Sequence, residues 1–205
     1  MKFIKHVEGL TYNRETKDTI EYYKDEFLKR RAVIARKTYN KGSLEIEDIY
    51  AEAYHEQCEL AAGGDVIAED LLAYWFKHGN PCLPENIETS YKWLFLAGAG
   101  GNKHALNKLT LFFNYAFDTI CYSDYYSDLI LLWDITAGNY QIILGEVVCQ
   151  HLVEELGINA MDLAQLLPVE VKFNQLSMQR LTAALNRVLP KVDDYFRKLI
   201  AKSKK

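Results

Sequence analysis

Glycines, alanines and aromatics return along this chain at a fixed interval, and that recurrence limits the fold more than any other feature. Gly64 and Gly101 are 37 residues apart, as are Ala68 and Ala105, Leu72 and Leu109, Tyr39 and Phe76, and Gly42 and Gly79. A constant period of roughly 20–50 residues marks stacked supersecondary units. The best-formed copy runs from Ala68 to Ala105. Ala68, Leu72, Ala73 and Phe76 fall at steps of three and four and stop at Gly79. That pattern predicts an amphipathic helix closed by a glycine able to take the left-handed conformation. Asn80-Pro81 and Pro84 then break the chain, because proline has no amide donor and restricts the residue before it. A second run, Ser90, Trp93, Leu94 and Ala97, ends in the small residues from Gly98 to Gly101, where two helices can cross closely. The pair reads as an antiparallel helical hairpin.

This spacing resembles the Sel-one-like repeat, a short relative of the tetratricopeptide repeat. Its pattern is Ala-x3-Leu-Gly-x2-Tyr-x2-Gly, a loop, then Ala-x2-Trp-x3-Ala-Ala-x2-Gly-x3-Ala. The chain answers with Ala68, Leu72, Ala73, Phe76 and Gly79, then Ser90, Trp93, Ala97, Gly98, Gly101 and Ala105. The departures exchange small for small and aromatic for aromatic, and the loop is longer than the usual form. Upstream, Tyr39, Gly42, Ala53, Ala61, Ala62 and Gly64 fit, while Arg31 and Glu56 replace an alanine and the tryptophan. Downstream, Ala105, Leu109, Phe113, Trp133, Ala137, Gly138 and Gly145 fit around a long loop from Asp118 to Asp128. The resemblance spans residues 31–150, with a fourth unit starting near Gly145. It implies an all-α fold, a right-handed α-solenoid of three to four stacked antiparallel helical hairpins. One domain over residues 1–205 is expected, with an N-terminal lead and helix over 1–30 and capping helices over 151–205.

Other elements follow from local signals. A helix is expected from Arg14 to Thr38, with Ile20, Tyr23, Phe27, Leu28, Ala32, Ala35 and Tyr39 on its apolar face. Ser43 is the expected N-cap of a helix from Glu45 to Ala62, whose first acids suit a helix start. Tyr140 to Leu156 forms a further helix closed by Gly157. Pro168 separates a short helix from a last one, Asn174 to Lys202, in which Pro190 should cause a kink or break.

Composition excludes several classes. Hydrophobic residues make up 49% of the 205, so disorder is expected only at the ends. No apolar run reaches the ~18 residues of a membrane span. The opening Met1-Lys2-Phe3-Ile4-Lys5-His6 lacks a sustained apolar core, so no secretory signal is read and a cytoplasmic protein is expected. Cys58, Cys82, Cys121 and Cys149 are too scattered for a zinc site or a staple and read as buried free thiols. Charge is segregated: residues 1–42 carry +5, residues 43–170 carry −16 and residues 171–205 carry +7. An acidic body repels nucleic acid and attracts a basic partner surface, or is neutralised by its own basic ends. The basic run Lys29-Arg30-Arg31, interrupted by Val33, Ile34 and Ala35, reads as a solvated helix face.

Catalytic patterns fail at specific positions. His55-Glu56-Gln57-Cys58-Glu59 opens like a zinc-protease helix, but Glu59 stands where the second histidine is required. Gly98-x-Gly100 follows a helix rather than a strand and reads as a turn. No G-x-S-x-G elbow or S-x2-K pair is present. No catalytic residue, metal or cofactor is assigned. An enzyme, as a hydrolase, would need His55, His78 and His104 to converge with acids or thiols.

The resemblance implies a different use. In that superfamily the first helix of each hairpin lines a concave groove at positions not used for packing. Counted from Leu72 these are Asp70, Tyr74, Lys77 and His78; from Leu109, Asn107, Leu111, Asn114 and Tyr115; from Cys149, His151 and Glu154. Asparagine, tyrosine and charged side chains there suit hydrogen bonding to a peptide backbone. The expected function is therefore a non-enzymatic protein–protein interaction module, an adaptor or toxin antidote of bacterial type, holding a basic protein or peptide. A secreted effector acting on host proteins is the alternative within the same class. Neither nucleic acid nor membrane is expected as a partner.

Overall fold

A computed structural model describes residues 14–109, 112, 140–165 and 178–203. Every element among them is helical. In chain order they are α1 (Arg14–Thr38), α2 (Ser43–Ala62), α3 (Val66–His78), α4 (Ile87–Ala99), α5 (Lys103–Lys108), α6 (Tyr140–Leu156), α7 (Ala160–Ala164) and α8 (Met178–Ser203). The expected boundaries of α1 and α6 coincide with the observed ones. The third unit from Phe113 through Trp133 to Gly138, including the Asp118–Asp128 loop and Cys121, lies outside the described residues.

The 37-residue period is visible as repeated backbone chemistry. After α2, Gly63 donates to the Glu59 carbonyl, Gly64 to Ala61 and Asp65 to Leu60; after α4, Gly100 donates to Leu96, Gly101 to Gly98 and Asn102 to Ala97. Each bond in the second set is the first set moved on by one period. Gly64 and Gly101 both sit at positive φ, +88° and +83°, a conformation that costs glycine nothing. Asp65 then caps α3 by accepting from the amides of Ile67 and Ala68, and Asn102 caps α5 by accepting from His104 and Ala105. The Asn102 amide also donates to the Val66 carbonyl at 2.8 Å, tying the start of one unit to the start of the next.

Within the best-formed hairpin, α3 packs on α4. Gly79 closes α3 at φ +67°. Asn80 and Leu83 exchange two backbone bonds in the turn, and Asn86 caps α4 through the Thr89 amide. Ser90, the small residue of the repeat, is buried, and its hydroxyl donates to the Ala73 carbonyl at 2.8 Å. Trp93 is 0% exposed in the core with Phe76, Phe95, Leu71 and Leu72. Gly98 marks the expected close crossing: a Cβ there would stand 2.6 Å from Cys149 Sγ on α6 and 3.0 Å from a Leu106 methyl. Further along, α8 packs on α6, and α7 packs on α2 and α4.

Several local expectations are corrected. The N-cap of α2 is Gly42, whose amide donates to Glu45 Oε2 at 3.1 Å, so Ser43 is the first helical residue. Ile20, Phe27 and Ile34 are buried on α1, whereas Leu28 and Tyr39 are 43% and 77% exposed and Ala32 and Ala35 are exposed as well. The buried stripe runs instead past half-buried Arg30 and Arg31; of the basic residues expected on a solvated face, Lys29, Arg36 and Lys37 are exposed and these two are not. Arg30 reaches Asp65 at 2.7 Å and Gln57 at 3.3 Å, and Arg31 donates to the Tyr74 hydroxyl at 2.8 Å. Of the kink or break expected at Pro190, the break is absent: α8 runs through the proline within Met178–Ser203. The proline is exposed, so the carbonyl deprived of its donor faces water, while Leu181, Leu185, Val188, Val192 and Phe196 are buried along the opposite face. Cys58 and Cys149 are buried free thiols as expected, and Cys82 is half-buried.

Glu69, in the first turn of α3, is 5% exposed, and its Oε2 meets no donor among the described residues. Burial, with Asp65 close by, pushes its carboxyl up from 4.5 to about 8. The folded chain keeps a proton there that the unfolded chain releases near pH 4.5, so the stability from this site falls as pH rises from there toward 8. Each pH unit inside that window is expected to remove up to about 1.4 kcal/mol. Urea unfolding at about pH 5 and about pH 7 measures the slope, and Glu69→Gln should flatten it. A slope unchanged by that substitution would assign the titration to another group.

Candidate functional site

Helices α1, α3 and α5 converge because α1 packs on both of the others. Between them and α4 lies a cavity of about 370 Å³. Phe27, Ala73, Ile87 and Leu94 give it apolar walls, and Tyr74, Ser90, Tyr91, Lys77, His78, His104 and Lys108 supply polar groups. Among the described residues no carboxylate lines it.

The charge beneath the cavity is tightly organised. Asp70 is 0% exposed; its Oδ2 lies 2.8 Å from His104 Nδ1 and its Oδ1 accepts from the Lys108 ammonium at 2.7 Å. A buried carboxylate needs such partners, and here they come from one helical turn of α5, at i and i+4. The Lys108 ammonium also stands 4.2 Å from the Phe27 ring centroid, and the Phe27 ring meets His104 edge-on at 5.2 Å. Burial, with Lys77 and Arg31 nearby, holds Lys108 below the ordinary lysine range although Asp70 pulls the other way. At the lip, the Arg31 guanidinium lies 4.0 Å over the Tyr74 ring, and Tyr74 leans on His78 with centroids 4.5 Å apart.

Of the groove positions expected from the repeat, Tyr74, Lys77 and His78 line the cavity. Asp70 does not face a partner: it is buried below the surface, where it holds His104 and Lys108. Asn107 is exposed on α5 outside the lining, and His151 and Glu154 pair with each other at 3.5 Å on α6, away from it. Leu111, Asn114 and Tyr115 lie outside the described residues. Counting positions on one helix missed Phe27, Ser90, Tyr91 and Lys108. The signal for Lys108 was present, since Asp70 moved on by one period lands on Asn107, between His104 and Lys108 on α5.

Of the three histidines that an enzyme would need, His78 and His104 share the cavity, while His55 is exposed on α2. Among the described residues no group of three or more His, Cys, Asp or Glu is placed to hold a metal ion, and no helix is long and apolar enough to cross a membrane. No protein-family model, curated protein or solved structure matches the chain.

Proposed function

We propose that the chain is a peptide-binding module, an adaptor or antidote-like binder, built as an α-solenoid of Sel-one-like hairpins and using the cavity between α1, α3, α4 and α5 as its recognition pocket. The observation that carries this reading is the convergence of α1, α3 and α5 on one cavity that holds Tyr74, Lys77 and His78. The duplicated junctions at residues 59–69 and 96–106 support the stacking of units. Concave pockets with apolar walls and a few placed polar groups are the usual form of a recognition site. Tyrosines at the mouth add contact area at low entropic cost. Nucleic acid fits less well, because Arg30 and Arg31 are occupied within the fold and Arg187, Arg197 and Lys198 pair with Glu155, Asp193 and Asp194.

A random-peptide phage library selected against the folded chain tests the proposal. Selected peptides should lose at least about tenfold in affinity toward Tyr74→Ala, the loss of roughly 1.4 kcal/mol expected from a rigid aromatic anchor. Selection of peptides indifferent to Tyr74→Ala and His78→Ala would place recognition elsewhere. A second reading, general-base hydrolysis, has the Asp70–His104 pair in its favour, since a buried carboxylate orients an imidazole for proton transfer. Ser90, the hydroxyl in the lining, donates to the Ala73 carbonyl, which leaves it poorly placed as a nucleophile. Turnover of activated esters lost in His104→Gln would favour this second reading.

A further inference from the structure

The cavity carries the opposite sign to the body around it. Residues 43–170 sum to −16, yet among the described residues the charged groups gathered at this site are Arg31, Lys77 and Lys108 against the carboxylate of Asp70. Asp70 has both oxygens engaged, by His104 and Lys108. Lys77 makes no ion pair among the described residues and reaches the same cavity from α3. Two positive charges are therefore left over in a site whose walls are partly apolar, and like charges held together there repel at low effective dielectric. An anionic ligand relieves that repulsion.

We infer that the pocket recognises an acidic peptide segment, with one aromatic or large aliphatic side chain inserted between Phe27, Ile87 and Leu94 and flanking carboxylates on Lys77 and Lys108. The inference rests on the peptide-binding reading above and adds the chemistry of the partner. A plain inorganic anion would leave the apolar walls uncovered. A neutral apolar ligand would leave the Lys77 ammonium and the net positive charge of the site unanswered. The volume of about 370 Å³ holds a large side chain with its adjoining backbone, and not a helix. Phosphate is favoured by paired guanidinium donors, but the guanidinium here is committed to the ring and hydroxyl of Tyr74. Lysines acting as point charges suit carboxylates equally well. The basic partner expected from overall charge is thus replaced, at this pocket, by an acidic one.

The test is calorimetric titration of the full chain with the blocked pentapeptide Glu-Glu-Phe-Glu-Glu, at low ionic strength where charge contacts are least screened. Saturable binding is expected, weakened at least about tenfold by Lys77→Glu and about threefold by Lys77→Gln, each side chain being worth a fraction of that change. Lys77 is exposed, so these variants should keep the wild-type circular dichroism. The lysine-for-glutamate peptide should not bind, the alanine-for-phenylalanine peptide should bind weakly, and inorganic phosphate should not compete. Equal affinity for the lysine peptide, indifference to Lys77→Glu, or full competition by phosphate would each overturn the inference. Library peptides that depend on Tyr74 but carry no acidic residues would overturn the charge assignment alone and leave the peptide-binding reading standing.

Discussion

Replacing Trp93 with alanine is expected to lower the stability of the chain by about 3–5 kcal/mol. The indole lies at the interior of the α3–α4 hairpin, 0% exposed, among Phe76, Phe95 and the leucines of α3. Burial of an indole removes on the order of 200 Å² from water, worth about 5 kcal/mol at 25 cal/mol per Å², and alanine returns most of that. The helices around it are anchored by caps at Asp65 and Asn86 and by the Ser90–Ala73 bond, so they cannot collapse freely into the gap. The loss should appear in urea unfolding as a lower midpoint with an unchanged slope, and as a fall of about 10 °C in Tm. Trp93→Phe separates packing from polarity. The indole N–H has no acceptor among the described residues, so phenylalanine forfeits no bond, and a loss of only about 1–2 kcal/mol is expected. A loss below about 1 kcal/mol for Trp93→Ala would mean that the ring is not a core group and would undo the register of the hairpin.

That register was legible from sequence because its signals are local and redundant. Gly64, Gly79 and Gly101 mark positive-φ positions that other residues avoid, and Ala68, Ala73, Ala97 and Ala105 mark fully buried positions on their helices. The face of α1 was not legible in its second half. Leu28, Ala32, Ala35 and Tyr39 form a valid apolar stripe at helical spacing, and periodicity alone cannot tell it from the stripe that is used. What decides between them is long-range: Asp65 and Tyr74 lie 35 and 43 residues beyond the arginines they engage, and those bonds turn α1 so that Arg30 and Arg31 face inward. The candidate site failed to read out for the same reason. Counting along α3 found Tyr74, Lys77 and His78, but placing Asp70 among them required knowing which side of the helix meets α5. A carboxylate four residues from a groove position reads as exposed until a histidine and a lysine from α5 are seen to cover it.

Asp70→Ala is expected to destabilise the fold by about 3 kcal/mol, the lower end of the range for breaking a buried ion pair, because Lys108 remains 30% exposed and can turn partly toward water. Without the carboxylate, Arg31 and Lys108 face one another across Phe27 with no counter-charge among the described residues, and His104 loses the acceptor that fixes its ring. The cost therefore belongs to the charges left behind more than to the bond removed, and that distinction can be measured. Asp70→Leu combined with Lys108→Met replaces both partners by apolar groups of similar size and should recover most of the loss, by about 2 kcal/mol or more. If the double variant is as unstable as the sum of the single ones, Asp70 acts through packing and not through charge. Asp70→Asn, which keeps the shape and can still accept from His104, sets stability against recognition. It adds one unit of positive charge to the pocket, so it should bind the glutamate-rich peptide a few-fold more tightly while unfolding at lower urea. The buried carboxylate would then be a device that limits the charge of the site to what the fold can hold, with the ligand supplying the remaining counter-charge.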